Sequence, residues 1–482
     1  MQASFDEQEI QAIIRRVRER VGGPEAAAPR RAPSRSREEA LGEGIFSSIE
    51  GAVEAAWEAF QSFSEMGLER RRAIIDALRQ AMREAAADLA RLAHEETGLG
   101  RAEDKEVKNL LVTDKTPGPE DLEPQVITGD LGMTVTEYAP FGVVAAITPT
   151  TNPTATIINN TIAVVSAGNA VVFNPHPNAK AVSVEQVRRI NRAITACGGP
   201  PHLVATIQEP TIETAQSLMR HSRVRLLLVT GGPGVVEEAL KTRKRAITAG
   251  PGNPPVVVDE TADIGLAARE IVRGASFDNN IVCTDEKEVF VVGSEADELV
   301  RAMEQHGGVV LKEYQIKQLE RVIFERLGEP GKPGRINRRW IGQNASKLLA
   351  EIGVSAGDEV RLLVAPVPRD HSLVWTEQMM PVMPVVRVRS ADEGIDLALR
   401  AEHGFRHTAS IFSNDVSRIT RMARAMNVSI FVANAATLAG LGAGGEDFTS
   451  FSIATPTGEG LTRPRTFSRI RRLTVVGSLR IV

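Results

Sequence analysis

Near the start of the chain, apolar residues recur at spacings of three and four. Ile10, Ile13, Ile14, Val17 and Val21 fall on one side of a helix, so the pattern predicts an amphipathic helix over residues 5–21. Ser4 followed by Glu7 resembles a capping box, acidic residues fill the first turn, and Arg15, Arg16, Arg18 and Arg20 occupy the last turns, where the helix dipole favours cations. Gly22, Gly23 and Pro24 stop it. From residue 22 to 44 the apolar period is lost and Ala, Pro, Ser, Arg and Gly dominate, which reads as a flexible linker. A helix on such a tether either docks on its own body or serves as a docking peptide. Its lack of a continuous apolar run excludes a secretory signal, and Asp6, Glu7 and Glu9 disfavour a mitochondrial presequence.

Beyond Gly44 two further amphipathic patterns appear, one carried by Val53, Ala56, Trp57 and Phe60 and the next by Ile74, Ile75, Leu78 and Met82. After a polar stretch, strand-like runs occupy 133–138, 142–147, 170–173 and 225–229, separated by helical segments such as 179–196. This alternation predicts parallel βαβ units. A second set at 255–258, 288–292, 382–388, 409–412 and 429–432 predicts another α/β domain. The closing segment, 472–482, is short and β-rich, and reads equally as a lone edge strand or as an arm that pairs with another subunit. With 482 residues the chain exceeds what one hydrophobic core accommodates, which agrees with two major domains.

Composition removes several function classes. A formal charge of -4 gives no basic field of the kind nucleic acid requires. Cys197 and Cys283 are the only cysteines, in no C-x-x-C pair and not at zinc-ligand spacing from a histidine, so neither a disulfide framework nor a metal is expected. The longest apolar region, 143–173, is broken by Pro149, Asn152, Pro153, Asn159 and Asn160, so no membrane span is expected.

Chemistry is concentrated in a few segments. Cys283 follows Ala275-Ser-Phe-Asp-Asn-Asn and precedes the strand at 288–292; a loop there suits a nucleophilic thiol, although an isolated cysteine is more often a buried apolar residue. Asn152 ends Ala146-Ile-Thr-Pro-Thr-Thr-Asn after an apolar strand, where a turn or helix cap would also explain it. The turn Thr230-Gly-Gly-Pro-Gly-Val235 joins a strand to a helix expected to begin near Val235, which lets backbone N–H groups approach a pyrophosphate, but it is not the G-x-G-x-x-G fingerprint.

Taken in order, Asn152, Asn174, Gly231, Cys283 and Glu377 resemble the aldehyde dehydrogenase superfamily. The segments Glu95-Glu-Thr-Gly-Leu-Gly-Arg, Gly250-Pro-Gly-Asn-Pro-Pro and Ile453-Ala-Thr-Pro-Thr-Gly are similar to those of the CoA-acylating propionaldehyde and acetaldehyde dehydrogenases of bacterial microcompartments. The resemblance implies an α/β fold of two Rossmann-like domains plus a small β oligomerisation arm. Its implied boundaries are a docking helix over 1–21, a linker over 22–44, an NAD-binding domain over 45–255 with 121–138 in the arm, a catalytic domain over 256–436, and a return segment with an oligomerisation strand over 437–482.

The same resemblance implies Cys283 as nucleophile and Asn152 as oxyanion donor. It implies NAD contacts from Thr148, Pro149, Asn174, His176, Thr230, Gly231, Gly232, Val235, Ala249, Gly250 and Glu377. The family's usual lysine and acidic residue of the adenosine site are absent, with Asn174 and His176 near those places. Hydrolytic members carry a glutamate where Thr248 falls, and use it to activate water. Its loss favours thiolysis, because coenzyme A brings its own sulfur. The expected activity is therefore NAD-dependent oxidation of a short aldehyde to its acyl-CoA, in a homo-oligomer (dimer or tetramer). The expected location is the bacterial cytoplasm, in a microcompartment lumen, with residues 1–21 contacting shell or core enzymes. The alternatives are a hydrolytic dehydrogenase that forms a free acid, and a non-catalytic scaffold. No motif names a general base among His371, His403 and His407.

Overall fold

The computed structural model describes residues 40–482, so the helix expected over 5–21 and all but the last few linker residues lie outside the described residues. That last part is not a linker. Strand β1 (Ala40–Gly42) pairs antiparallel with β2 (Ile45–Phe46) across a turn in which Gly42 and Gly44 have positive φ. A side chain on Gly44 would collide with Asn191 and the Val204 carbonyl, which is why the chain can return so tightly only with glycine there.

Helices α1 (Ile49–Ser64) and α2 (Leu68–Thr97) follow; α2 buries its whole predicted stripe, while α1 buries Val53 and Ala56 and leaves Trp57 and Phe60 half-buried against the core. The polar stretch beyond them is a third helix, α3 (Ala102–Lys115), whose polarity is reversed. It buries Asp104, Lys105, Lys108, Asn109, Val112 and Thr113, while Val107 remains 49% exposed. An apolar-stripe search cannot find such a helix, because its inward face is held by ion pairs and hydrogen bonds.

Two strands, β3 (Gln125–Gly129) and β4 (Gly132–Pro140), then form a hairpin. Next come β5 (Val143–Thr148), helix α4 (Pro153–Ser166), β6 (Ala170–Pro175), helix α5 (Lys180–Ala196), β7 (Val204–Ile207), helix α6 (Ile212–Arg220), β8 (Val224–Thr230), helix α7 (Pro233–Lys241) and β9 (Arg245–Ala249). The first sheet has the order β1-β2-β7-β6-β5-β8-β9, parallel from β2 onward. β5 and β6 are buried along their whole length, as expected of central parallel strands covered on both faces. The chain moves outward from β5 to β7, then reverses to β8 and β9. The crevice at the strand ends beside β5 and β8 is therefore a topological switch point, where such sheets bind ligands. Thr148, Thr230 and Ala249 all lie at those ends.

The second sheet is built from β10 (Pro255–Val258), β11 (Glu288–Val292), β12 (Gly308–Val310), β15 (Leu362–Pro366), β16 (Val382–Val388), β17 (Thr408–Phe412) and β18 (Ile430–Ala433), with a small hairpin of β13 (Phe324–Arg326) and β14 (Arg335–Ile336) set apart. All its pairings are parallel, in the order β12-β15-β16-β11-β10-β17-β18. Helix α8 (Ile264–Ala275), capped by Asp263, covers one face.

The chain then returns to the first unit through the pair β19 (Ile453–Ala454) and β20 (Gly460–Leu461). It ends in β21 (Ser468–Val476), which pairs antiparallel with β4 over nine residue pairs. The final strand thus begins earlier than the expected 472 and stops at Gly477, whose φ is positive. Together β21, β4 and β3 form a separate three-stranded sheet that exposes Val126, Ile127, Ile470, Leu473 and Val476. Among the described residues no helix is long and apolar enough to cross a membrane.

Candidate active site

Cys283 is delivered by an unusual turn. After α8 the segment Phe277–Asn280 places three consecutive non-glycine residues in the left-handed region, Asp278 at φ 44°, Asn279 at 55° and Asn280 at 66°. Asp and Asn tolerate this region better than other side chains, and here each is also pinned. Asn280 Nδ2 donates to the carbonyls of Ala275 and Glu286 at 2.8 and 2.9 Å. Asn279 Nδ2 donates to the Gly342 carbonyl at 2.9 Å and to Asn344 Oδ1 at 2.8 Å, and the Asp278 amide donates to Asp104 Oδ2 at 2.9 Å. The turn sets Phe277, Val282 and a half-buried Cys283 against the core of the first unit, so the cysteine lies where the two α/β units meet.

Immediately after it, Asp285, Glu286, Lys287 and Glu288 are all buried. The Lys287 ammonium is held by Asn280 O, Asn280 Oδ1 and Val282 O at 2.8, 2.7 and 3.2 Å, which fixes a cation under the cysteine loop. Burial pushes the Cys283 thiol up to about 12, the Glu377 carboxylate adds to the rise, and Lys287 opposes it. Glu377 accepts from the Gly252 amide at 3.4 Å, and burial raises its own pKa. Removing that neighbouring anion makes the thiolate cheaper to form. Glu377→Gln should therefore lower the Cys283 pKa and speed its alkylation by iodoacetamide at pH 8 several-fold; an unchanged rate would show that Glu377 does not act on the thiol.

Motif matching did not find His407. It is fully buried, its Nδ1 lies 2.9 Å from Thr408 Oγ1, and Nε2 has no partner among the described residues. Burial and the nearby Lys287 charge push its pKa down to about 4, so the ring is neutral at pH 7 and only a weak base. A Cβ on Gly252 would lie 2.6 Å from the Cys283 carbonyl and 3.0 Å from His407 Cγ, so this glycine is the spacer that lets the ring approach the cysteine loop.

Asn152 is the N-cap residue of α4 but makes no side-chain cap hydrogen bond. Instead its Oδ1 accepts from Lys108 Nζ at 2.6 Å, and its Nδ2 donates to Thr151 Oγ1 at 3.3 Å. The same ammonium is paired with Asp278, which also accepts from Lys105 Nζ at 2.9 Å and from the Arg101 amide at 2.6 Å. A buried ionic cluster thus joins α3, the oxyanion candidate and the turn before Cys283.

The remaining candidates line the crevice of the first sheet. Thr148 closes β5 with its Oγ1 buried and unpartnered, and Pro149 follows at the mouth. Gly232 caps α7 with no side-chain hydrogen bond, leaving the first backbone N–H groups of the helix for an anionic guest. This helix begins at Pro233 rather than near Val235, because proline occupies its first turn. A side chain on Gly231 would press on Val235 Cγ1 at 2.9 Å, whereas a Cβ on Gly232 or Gly234 would meet open space. The open, donor-rich turn fits a pyrophosphate.

Asn174 is already engaged, since its Oδ1 accepts from Thr214 Oγ1 at 2.8 Å and its Nδ2 donates to the Thr211 carbonyl at 3.4 Å. His176 accepts from the Asn178 amide at 3.2 Å and is exposed beside it. The return segment covers the far side of the crevice. Ser452 Oγ lies 2.8 Å from Thr230 Oγ1, Thr457 Oγ1 accepts from the Thr248 amide at 3.1 Å, and Pro456 packs on Gly250. Ala249 is buried at the end of β9.

The family model of the aldehyde dehydrogenase family matches residues 43–309 and 361–446. The chain belongs to the aldehyde dehydrogenase family. It is 50% identical over 440 residues to the acetaldehyde dehydrogenase (acetylating) EutE of Salmonella typhimurium, covering 91% of this chain and 94% of that protein. The crystal structure of Rhodopseudomonas palustris propionaldehyde dehydrogenase with bound CoA and an acylated cysteine superposes with a TM-score of 0.88 at 44% identity, covering 92% of this chain and 100% of that one. A propionaldehyde dehydrogenase from the Clostridium phytofermentans fucose utilisation bacterial microcompartment gives 0.88 at 42% identity, covering 91% and 100%.

Proposed function

We propose that Cys283 carries a short aldehyde through a thioester to coenzyme A. The chain is a CoA-acylating aldehyde dehydrogenase that uses NAD and CoA, in keeping with the names of its relatives. The observation that carries the acyl-transfer reading is Thr248. It is fully buried at the end of β9, its Oγ1 has no partner among the described residues, and it offers no carboxylate where a hydrolytic enzyme holds its base.

In this reading the Cys283 sulfur bonds to the aldehyde carbon while Asn152 Nδ2 and the Cys283 amide face the developing oxyanion. The thiol proton is lost to solvent as the sulfur bonds, and the Lys287 ammonium held under the loop favours the thiolate against the burial that raises its pKa. Thr148, Pro149, Asn174, His176, Thr230–Val235, Ala249, Gly250 and Glu377 would hold NAD, which when bound would supply the acceptor for the hydride leaving the thiohemiacetal carbon. The CoA sulfur then bonds to the acyl carbon as the bond to Cys283 breaks, and the thiol is regenerated.

Omitting CoA should stop NADH formation after about one equivalent per active site; equal turnover with and without CoA would establish hydrolysis instead. Thr248→Glu should raise the ratio of free acid to acyl-CoA released per active site. The buried position makes the larger side chain cost about 1–3 kcal/mol of stability, so the product ratio, read by chromatography, is the informative quantity. No rise would remove Thr248 from the account.

The exposed apolar residues of the β21-β4-β3 sheet suit contact with another copy of the chain, as a dimer or tetramer. The amphipathic pattern of residues 1–21 suits docking to shell or core enzymes of a bacterial microcompartment. Fusion of residues 1–21 to a fluorescent protein tests this, with co-sedimentation with shell proteins as the expected result.

A further inference from the structure

The default behaviour of an asparagine at a helix N-cap is to turn its side-chain oxygen onto the first N–H groups of the helix. Asn152 does not do so: it caps α4 with no side-chain hydrogen bond, and its Oδ1 is taken by Lys108 Nζ at 2.6 Å. An ammonium has three donors and no acceptor, so it can only receive the oxygen end of the amide. The Nδ2 end is thereby turned away. Its one hydrogen bond among the described residues, to Thr151 Oγ1, is long at 3.3 Å and leaves a second hydrogen for another acceptor.

Lys108 is itself fixed. It is 1% exposed and paired with Asp278, whose carboxylate is anchored by Lys105 Nζ and the Arg101 amide. Asp278 stands in the left-handed turn that leads to Cys283. One buried ionic cluster therefore connects the amide of Asn152 to the turn that carries the nucleophile.

We propose that Lys108 is a positioning residue of the reaction: it diverts Asn152 from helix capping and aims its Nδ2 at the oxyanion. The ammonium also polarises the amide, which strengthens Nδ2–H as a donor. Without it, the oxygen returns to the N-terminus of α4 and the donor leaves the site. This inference rests on the role proposed for Asn152.

Loss of one oxyanion donor costs about 100- to 1000-fold in kcat. Lys108→Met should produce most of the loss shown by Asn152→Ala, with KM for NAD and the rate of Cys283 alkylation by iodoacetamide, which forms no oxyanion, within about twofold of the native enzyme. The double variant should be no more than about twofold slower than Asn152→Ala alone, since both changes remove the same donor. Multiplied losses, a kcat for Lys108→Met within twofold of native, or a changed alkylation rate would overturn the proposal. Full activity in Asn152→Ala would instead overturn the role of Asn152 and this inference with it. Should Lys108→Met fail to fold, Lys108→Gln still donates to Oδ1 without the charge; it should show a smaller kcat loss that is also non-additive with Asn152→Ala, and an additive loss would overturn the proposal.

Discussion

Cys283→Ala is expected to abolish CoA-dependent NADH formation while leaving the fold and NAD binding intact. The other cysteine, Cys197, ends α5, donates to the Ile194 carbonyl at 3.2 Å and packs against the core of the first unit. No second thiol can therefore take over. A serine or threonine hydroxyl is a far weaker nucleophile than a thiolate. The loss should reach the limit of detection, at least about 10,000-fold, the scale on which catalytic nucleophiles act. Because Cys283 is only half-buried, the melting temperature should move little. NAD should still stabilise the variant. Residual turnover above a trace would contradict the assignment.

The second large effect concerns stability. Asp278→Asn should destabilise the protein by about 3–5 kcal/mol, the cost of leaving buried charges unpaired. Lys105 and Lys108 are both 1% exposed, and both aim their ammonium groups at Asp278 Oδ2. Burial already pushes Lys105 down to about 8 with the carboxylate in place. An asparagine at 278 would confront these donors with its own NH₂ group, or, if flipped, present that group to the Arg101 amide. Differential scanning should show a fall in the unfolding midpoint of roughly 3–5 °C.

The pH dependence has a definite sign. Burial raises the Asp278 carboxyl, but Lys105, Lys108 and the hydrogen bonds to it outweigh that, and its pKa lies below the ordinary value. A depressed carboxylate contributes stability above its unfolded pKa, about 4, and loses it as pH falls through the folded value. The gap between native and Asp278→Asn should therefore be full at neutral pH and narrow in acid. A gap below about 1 kcal/mol at pH 7 would mean that the cluster adds nothing.

The same cluster shows where sequence patterns end. The strands at 142–147, 170–173, 255–258 and 288–292 were legible because parallel strands buried on both faces are apolar runs, and β5, β6, β10 and β11 lie there. The stripes of α1 and α2 were legible because each packs one face on that core. α3 was not, since its inward stripe of Asp104, Lys105 and Lys108 looks like a solvated face until partners 170 or more residues away are known. A helix whose charged residues keep the spacing of three and four was the available signal. His407 gave none: it comes beside the cysteine loop only through the packing of Gly252. Thr248 was legible as a substitution, but its closure by Thr457 depends on the return segment, 209 residues later.

The account as a whole stands on a thioester at Cys283 that waits for a thiol. Enzyme mixed with propionaldehyde and NAD in the absence of CoA, quenched and digested, should carry one acyl group on the peptide containing Cys283 by mass spectrometry. Addition of CoA should discharge that group within one turnover, with an equal amount of acyl-CoA formed. An adduct that decays to free acid at the same rate without CoA, or no adduct on Cys283 during active NADH formation, would contradict it.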